Sequence, residues 1–184
     1  LALDFHFGNT ETVNSAFKNA HHISKASIRN NRVVVACMEP RSAVVEFEEK
    51  AGRYTVHMGC QGTFGMRKQL AALLNVEPAK VRVLTKNVGG SFGMKSFAYP
   101  EYICLLHAAK MLGRPIKWTD ERSSSFLSDQ QGRDHDVEGE LALDKDGNFL
   151  AVRLSLFSNM GGYLAAVGPN MATNNMVKNI TSVY

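Results

Sequence analysis

The chain has 184 residues, of which 45% are hydrophobic and 21% are charged, and its formal net charge is +4. This composition predicts a soluble globular protein of one or two domains. The basic residues are scattered and no apolar run approaches the length of a membrane span, so we expect neither nucleic-acid nor membrane binding.

Cysteine usage indicates a reducing compartment. Cys37, Cys60 and Cys104 are widely spaced and form no Cys-x-x-Cys pair, which argues against a zinc ribbon or an iron–sulfur cluster within the chain. We therefore expect free thiols and a cytoplasmic protein without a signal peptide. The chain begins at Leu1 and ends at Tyr184 without a terminating signal, which predicts a piece of a longer polypeptide.

The first elements are predicted to be a helix and two strands. An apolar stripe with helical spacing predicts a helix over residues 10–20, capped by Asn9 or Thr10. Two strand-like runs follow, around 22–28 and 32–36, and two asparagines between them predict a turn.

The middle of the chain predicts a β-β-α-β-α-β unit over about residues 43–119. Two strands form a hairpin, and each later helix or strand follows a glycine-containing corner or a turn. The successive strands, corners and helices occupy residues 43–48, 53–58, 59–62, 66–74, 81–84, 88–95, 100–112 and 115–119.

A second unit is predicted to begin near residue 137. The polar stretch 120–133 has no clear periodicity, but 137–143 and 149–156 predict a second hairpin, with a glycine corner at 159–163. We therefore expect one α+β domain with a complete first unit and the start of another, at about 137–184. Its glycine corners are predicted to meet at one site, because loops at strand ends often line a shared crevice.

The most informative segment is Val88–Lys95, with the sequence Val-Gly-Gly-Ser-Phe-Gly-Met-Lys. Its glycines permit sharp turns or a close backbone approach, and they leave Phe92 placed to press against a ligand. Met94 interrupts the Gly-Lys pair of a P-loop, and Ser91 stands where the Rossmann fingerprint needs glycine. The segment is therefore either an anion-binding nest or a corner without a ligand.

Three other residues have two interpretations each. Gln61, between two glycines, is a ligand-binding amide or a turn residue that faces water. Cys60 precedes a helix, where thiol pKa values can fall, but no histidine is identifiable as its base, so a catalytic cysteine is the minority interpretation. Arg41 is either structural or faces an anion.

Two metal-like patterns fail. His21 and His22 are adjacent and point to opposite faces of a strand. The acidic turn that begins at Asp144 resembles an EF-hand loop, but Phe149 and Ser155 occupy the glycine and glutamate positions. A plain hairpin turn is the better interpretation.

Several short motifs in a fixed order resemble the molybdenum hydroxylases, which include xanthine dehydrogenase, aldehyde oxidoreductase and aerobic carbon monoxide dehydrogenase. The resemblance is to their large molybdopterin-binding subunit, runs from about Asn9 to the end, and is closest to the carbon monoxide dehydrogenase-like branch. The motifs are Met38–Arg41, Gln61, Gly89–Lys95, Gly113–Trp118, Asp120–Arg122 and Asn159–Tyr163.

The resemblance implies a fold of the molybdenum cofactor-binding type and a set of site residues. Gln61 would hydrogen-bond near the oxo or hydroxo ligands of molybdenum, Phe92 would flank the metal site, and Gly93 would allow close approach of the backbone. The residues implied to bind cofactor are Gln61, Gly89, Gly90, Ser91, Phe92 and Gly93.

The resemblance also implies an activity and partners. The parent protein would be an oxidoreductase that oxidises a small carbonyl, heterocyclic or CO-like substrate with water-derived oxygen. Its cofactor would be molybdopterin, in the cytosine dinucleotide form. An iron–sulfur small subunit with [2Fe–2S] clusters and a medium subunit with FAD would complete a dimer of heterotrimers. The alternative is a non-catalytic binding or assembly module of the same fold.

Two departures from the family narrow this expectation. Purine-oxidising members carry a glutamate where Ser96 stands and an arginine near 172–174, where none is present, so purine oxidation is not expected. The family's general-base glutamate and the loop that marks true carbon monoxide dehydrogenases lie beyond Tyr184. No catalytic residue or metal ligand is therefore assigned within the chain, and residues 1–184 alone are expected to be inactive.

Overall fold

A computed structural model describes residues 1–164 and 167–179, except for the side chain of Lys178. The chain divides into two compact units. The central unit is Val34–Gln131, and the terminal unit combines Leu1–Val33 with Gly132–Tyr184.

The described residues form a mixture of helices and strands. In chain order they are α1 (Thr10–Asn19), β1 (His22–Asn30), β2 (Val33–Val34), β3 (Ser42–Glu48), β4 (Arg53–Met58), α2 (Thr63–Leu74), β5 (Val81–Leu84), α3 (Pro100–Leu112), β6 (Ile116–Thr119), α4 (Arg122–Ser128), β7 (Gln131–Gly132), β8 (His135–Leu143), β9 (Phe149–Ser158), α5 (Gly168–Ala172) and α6 (Asn174–Asn179), with 3-10 turns at Pro78–Lys80 and Met94–Ser96.

The central unit is a four-stranded sheet that packs against α2 and α3. Its strand order is β5-β4-β3-β6, and β4 pairs antiparallel with β3 and parallel with β5. This is the predicted β-β-α-β-α-β unit. Its core is fully closed, since Val45, Val56, Leu70 and Leu106 each have 0% exposure. Apolar residues with a period of two on the strands meet the apolar face of each helix.

The helix ends in the central unit follow local signals. α2 ends at Asn75, which adopts a left-handed conformation with φ 53° and donates its N–H to Ala72. α3 begins with Pro100, which fits the first turn of a helix, and ends at Gly113 with φ 63°. These ends of α2 and α3 lie where the sequence predicted them. They set the direction in which the chain leaves each helix.

The terminal unit contains the antiparallel sheet β1-β8-β9. α1 contributes Phe17 to a small core with Ala142 and Ala151, and the Asn9 side chain caps the helix by accepting from the N–H of Thr12 at 3.1 Å. The second predicted hairpin is confirmed, and its Asp144 carboxylate accepts hydrogen bonds within the turn, as a plain hairpin turn requires.

The structure differs from the sequence prediction in one stretch and adds a helix in another. β1 does not turn back on the next run, because it pairs over all nine residues with β8, and the next run keeps only the two-residue β2. The polar stretch 120–133 contains α4, whose apolar Phe126 and Leu127 are exposed and so give no amphipathic stripe. Among the described residues, no helix combines the length and apolar character needed to cross a membrane.

Candidate functional site

The segment Val88–Lys95, here called the glycine loop, lies between β5 and α3. Its backbone turns through positive φ at Gly90 (98°), Phe92 (49°) and Gly93 (93°). Phe92 is the non-glycine residue in this set, and its side chain is 80% exposed. A bulky residue in a left-handed conformation is strained, and such strain is typical of sites where geometry matters more than stability.

Gln61 is locked onto the glycine loop through its amide oxygen. Oε1 accepts hydrogen bonds from Ser91 Oγ at 2.7 Å, the Gly93 N–H at 2.9 Å and Ser96 Oγ at 3.1 Å. Three donors around one oxygen fix the orientation of the amide, so Nε2 occupies the other position. In the part of the chain that the structure describes, Nε2 has no acceptor. Both N–H donors of the Gln61 amide are therefore left without a protein partner in this part of the chain.

The turn of the glycine loop adds backbone donors beside this amide. The N–H groups of Gly90, Ser91 and Phe92 have no acceptor among residues 1–164 and 167–179. Consecutive free N–H groups in a turn can bind an anion or another oxygen-rich group. An ideal Cβ on Gly93 would meet no atom within 4 Å, so the space beside it is open. These features fit a ligand that carries several acceptor oxygens.

Glu39 holds the other side of the glycine loop. Its Oε2 accepts from the Gly89 N–H at 3.0 Å and from Lys95 Nζ at 2.7 Å, and its own N–H donates to the Gly89 carbonyl at 3.0 Å. The Lys95 side chain is 1% exposed. The hydrogen bond from Lys95 holds the pKa of the Glu39 carboxyl below its ordinary value. Glu39 was not among the predicted site residues; the acid in the Met-Glu-Pro-Arg motif was its only sequence signal.

Close packing against Glu39 explains why the residue at position 89 of the loop is a glycine. An ideal Cβ on Gly89 would lie 2.5 Å from the Glu39 Cβ, and one on Gly59 would lie 3.0 Å from its Oε2. Real Cβ atoms essentially never approach as closely as 2.5 Å, whereas 3.0 Å is tight but possible if the Glu39 side chain moves slightly. Gly89 therefore has a packing reason of its own, whatever else the loop binds.

The sequence left open whether Arg41 is structural or faces an anion, and the structure shows that it is structural. Its side chain has 0% exposure and forms ion pairs with Glu101, Asp120 and Asp129 at 2.9, 3.3 and 2.6 Å. The guanidinium also lies 3.9 Å from the centre of the Tyr99 ring. Burial raises the pKa of Tyr99 to about 12. Each guanidinium nitrogen of Arg41 has a protein partner and the side chain is fully buried, so it is not exposed to a ligand.

The remaining candidates do not form a site. Cys60 is buried, and burial raises the pKa of its thiol, which is unfavourable for a nucleophile. Among the described residues, no group of three or more His, Cys, Asp or Glu side chains could hold a metal ion. The corner 159–163 belongs to the terminal unit, so its convergence with the glycine loop stays a prediction.

Comparison with known proteins assigns the chain to a family. The model of the molybdopterin cofactor-binding domain matches residues 1–184. The chain belongs to this family. Domains of this family bind molybdopterin with molybdenum. The donor-rich glycine loop is compatible with such a group.

Individual members of the family support this assignment. The chain is 29% identical to the carbon monoxide dehydrogenase large chain of Hydrogenophaga pseudoflava, over 88% of this chain and 20% of that protein. It is 34% identical to the 6-hydroxypseudooxynicotine dehydrogenase complex subunit gamma of Paenarthrobacter nicotinovorans, over 85% of this chain and 20% of that protein. The solved CO dehydrogenase of Oligotropha carboxidovorans aligns with a TM-score of 0.75 and 29% identity, over 81% of this chain and 18% of that chain.

These relatives are oxidoreductases of the molybdenum hydroxylase group, and they include carbon monoxide dehydrogenase large chains. The chain spans about a fifth of the length of the curated relatives it matches. The family and the fold of the predicted type are thereby confirmed.

Proposed function

We propose that the glycine loop and Gln61 bind the molybdopterin cofactor. The observation that carries this proposal is the locked amide of Gln61, whose oxygen is taken up by three donors of the protein. Its two Nε2 hydrogens are therefore left for acceptor oxygens of a ligand. The proposed cofactor-binding residues are Gln61, Gly89, Gly90, Ser91, Phe92 and Gly93.

Each part of the loop has a separate proposed task. Gln61 donates to and orients the cofactor, and the N–H groups of Gly90 and Ser91 add further donors. Phe92, which is exposed beside these donors, excludes water from one side of the ligand. Gly93 leaves open space for close approach of the backbone. When bound, the cofactor would supply the two-electron oxidation of the substrate, with oxygen derived from water.

We extend the proposal to the longer protein of which this chain would be a part. It would be a molybdenum-dependent oxidoreductase acting on a small carbonyl, heterocyclic or CO-like substrate. The names of the relatives, a large chain and a complex subunit, support a multi-subunit assembly. We propose an iron–sulfur small subunit and an FAD medium subunit as partners, in a cytoplasmic dimer of heterotrimers, with the cofactor in its cytosine dinucleotide form.

We also propose the bounds of the cofactor-binding units and the origin of the catalytic groups. Within residues 1–184, the first cofactor-binding unit would span about 43–119 and the second would begin near 137. The general base would come from another part of the protein, so residues 1–184 alone would not turn over substrate. Oxidation of an aldehyde by the purified 184-residue chain would contradict this.

The test is the molybdenum and pterin content of the purified full-length protein. We expect both in the wild type, and we expect Gln61→Ala to lower them several-fold, because the fixed donor is lost. Gln131→Ala, at an exposed glutamine of β7, serves as the matched control and should keep wild-type content. Absence of both from the wild type would instead support a non-catalytic binding or assembly module.

A further inference from the structure

The ion pair between Glu39 and Lys95 has no evident role in contacting a ligand, yet it is built into the site. Lys95 is almost completely enclosed, with 1% exposure, and its ammonium lies 2.7 Å from Glu39 Oε2. A buried charge is costly unless it is paired, and in some proteins buried polar or charged groups select one conformation rather than add stability. The pair is therefore a candidate for a specific conformational role.

The pair joins the two ends of the glycine loop. The same oxygen, Glu39 Oε2, accepts from the N–H of Gly89 at the start of the loop and from Lys95 at its end. The segment that carries Glu39 is itself tethered, because Arg122 of α4 donates to the carbonyls of Cys37 and Met38. One carboxylate thus closes the loop against a fixed support.

The conformation held in this way is strained. Phe92 has φ 49°, an unfavourable value for a bulky side chain, and its ring packs close to Gly90, where an ideal Cβ would lie 3.0 Å from Cε2. A mostly exposed side chain gains little from its own packing, so the strain must be balanced by the rest of the loop. Closing both loop ends supplies such a restraint.

We propose that Glu39 and Lys95 are positioning residues that set the glycine loop in its cofactor-accepting conformation before the cofactor binds. The inference rests on the proposed function of the loop. It adds that the loop is preorganised by a buried ion pair, so that binding does not have to order it. The inference also assigns a role to the acidic residue of the Met-Glu-Pro-Arg motif.

The test is amide hydrogen exchange in the full-length protein prepared without cofactor. The informative amides are Gly93 and Met94, because their acceptors are Gln61 and Ser91 rather than either member of the ion pair. Lys95→Met and Glu39→Gln should each raise exchange at these two amides about tenfold or more, as expected for loss of a hydrogen bond between charged groups.

The controls separate positioning from general stability. Lys86→Met removes an exposed lysine of the preceding segment and should leave all rates unchanged. The amides of Val56 and Leu106 in the core should exchange at wild-type rates in every variant. Glu39→Gln keeps an acceptor for the Gly89 N–H but leaves the Lys95 ammonium buried without its counter-charge. The double variant, which removes both charges, should be no worse than Glu39→Gln alone.

Unchanged exchange at Gly93 and Met94 in Lys95→Met would overturn the proposal, as would equal acceleration at Val56 and Leu106. The result is independent of the cofactor assignment. If the wild-type protein held no molybdenum, the proposed function would fail while the exchange pattern would still decide whether the pair positions the loop. If the wild type is loaded, both variants should also show molybdenum content lowered several-fold.

Discussion

Glu39 and Arg41 stand two residues apart in one motif, but they enter two different charged clusters. Arg41 is fully enclosed and is contacted by three carboxylates and an aromatic face. Glu39 reaches the glycine loop, where several donors of the neighbouring residues have no partner within the described structure. A satisfied cluster fixes the fold, whereas a loop with free donors is available to a ligand.

The largest predicted effect lies in the Arg41 cluster. Arg41→Met should lower the free energy of unfolding of the chain by about 3–5 kcal/mol, because Asp120 and Asp129 would remain buried without their partner. Chemical denaturation measures the change. Arg53→Met, at a surface pair with Glu48, is the control and should cost about 1 kcal/mol or less. Equal losses for the two variants would show that the buried Arg41 cluster adds no more stability than a surface ion pair.

The next effect compares two glycines of the loop. Gly89→Ala should cost about 3 kcal/mol, because its Cβ would collide with Glu39. Gly93→Ala meets no neighbour and should cost only about 1 kcal/mol, through its positive φ. Thermal denaturation of both variants tests the order. If Gly93→Ala were the more destabilising, the packing explanation for Gly89 would be wrong.

The sequence predicted the fold of the central unit because strand and helix periodicities are local and its turns carry Gly, Asn and Pro signals. It could not predict that β1 pairs with β8, because that pairing joins residues more than a hundred positions apart. α4 was missed for a different reason. Its side chains are held by polar contacts, such as Ser125 to Asp120 at 2.7 Å, which leave no apolar stripe.

The site was predicted in part. Gln61 and the loop were selected by their glycine-rich surroundings and by resemblance, and the structure brings them together. The role of Glu39 was missed, and Arg41 could not be assigned. A lone acid or arginine looks the same in a sequence whether it faces solvent, a ligand or a buried partner, since that difference depends on residues about 50 to 90 positions away.

A smaller effect concerns the strain at Phe92. Phe92→Gly and Phe92→Ala remove the same exposed ring, but only alanine keeps a Cβ at positive φ. The glycine variant should therefore be more stable than the alanine variant by about 1 kcal/mol. Denaturation midpoints of the two variants check this, and a more stable alanine variant would show that the loop backbone is not strained.

The smallest effect is expected when the pH is lowered. The pKa of Glu39 is lowered when folded, so its stabilising contribution is complete above the ordinary value of 4.5 and is lost as the pH falls through the lower folded value. The Gly89 amide shift in NMR should therefore titrate with a midpoint below 4.5. Lys95→Met should move that midpoint upward. A midpoint that is the same with and without Lys95 would contradict the claim that Lys95 lowers the pKa of Glu39.

The most direct test of the central claim is a crystal structure of the full-length protein, with the molybdenum located by its anomalous scattering. We expect an anomalous peak beside the glycine loop and a cofactor oxygen within hydrogen-bond distance of Gln61 Nε2. A molybdenum site away from the loop, with Gln61 Nε2 bonded only to protein or water, would contradict it.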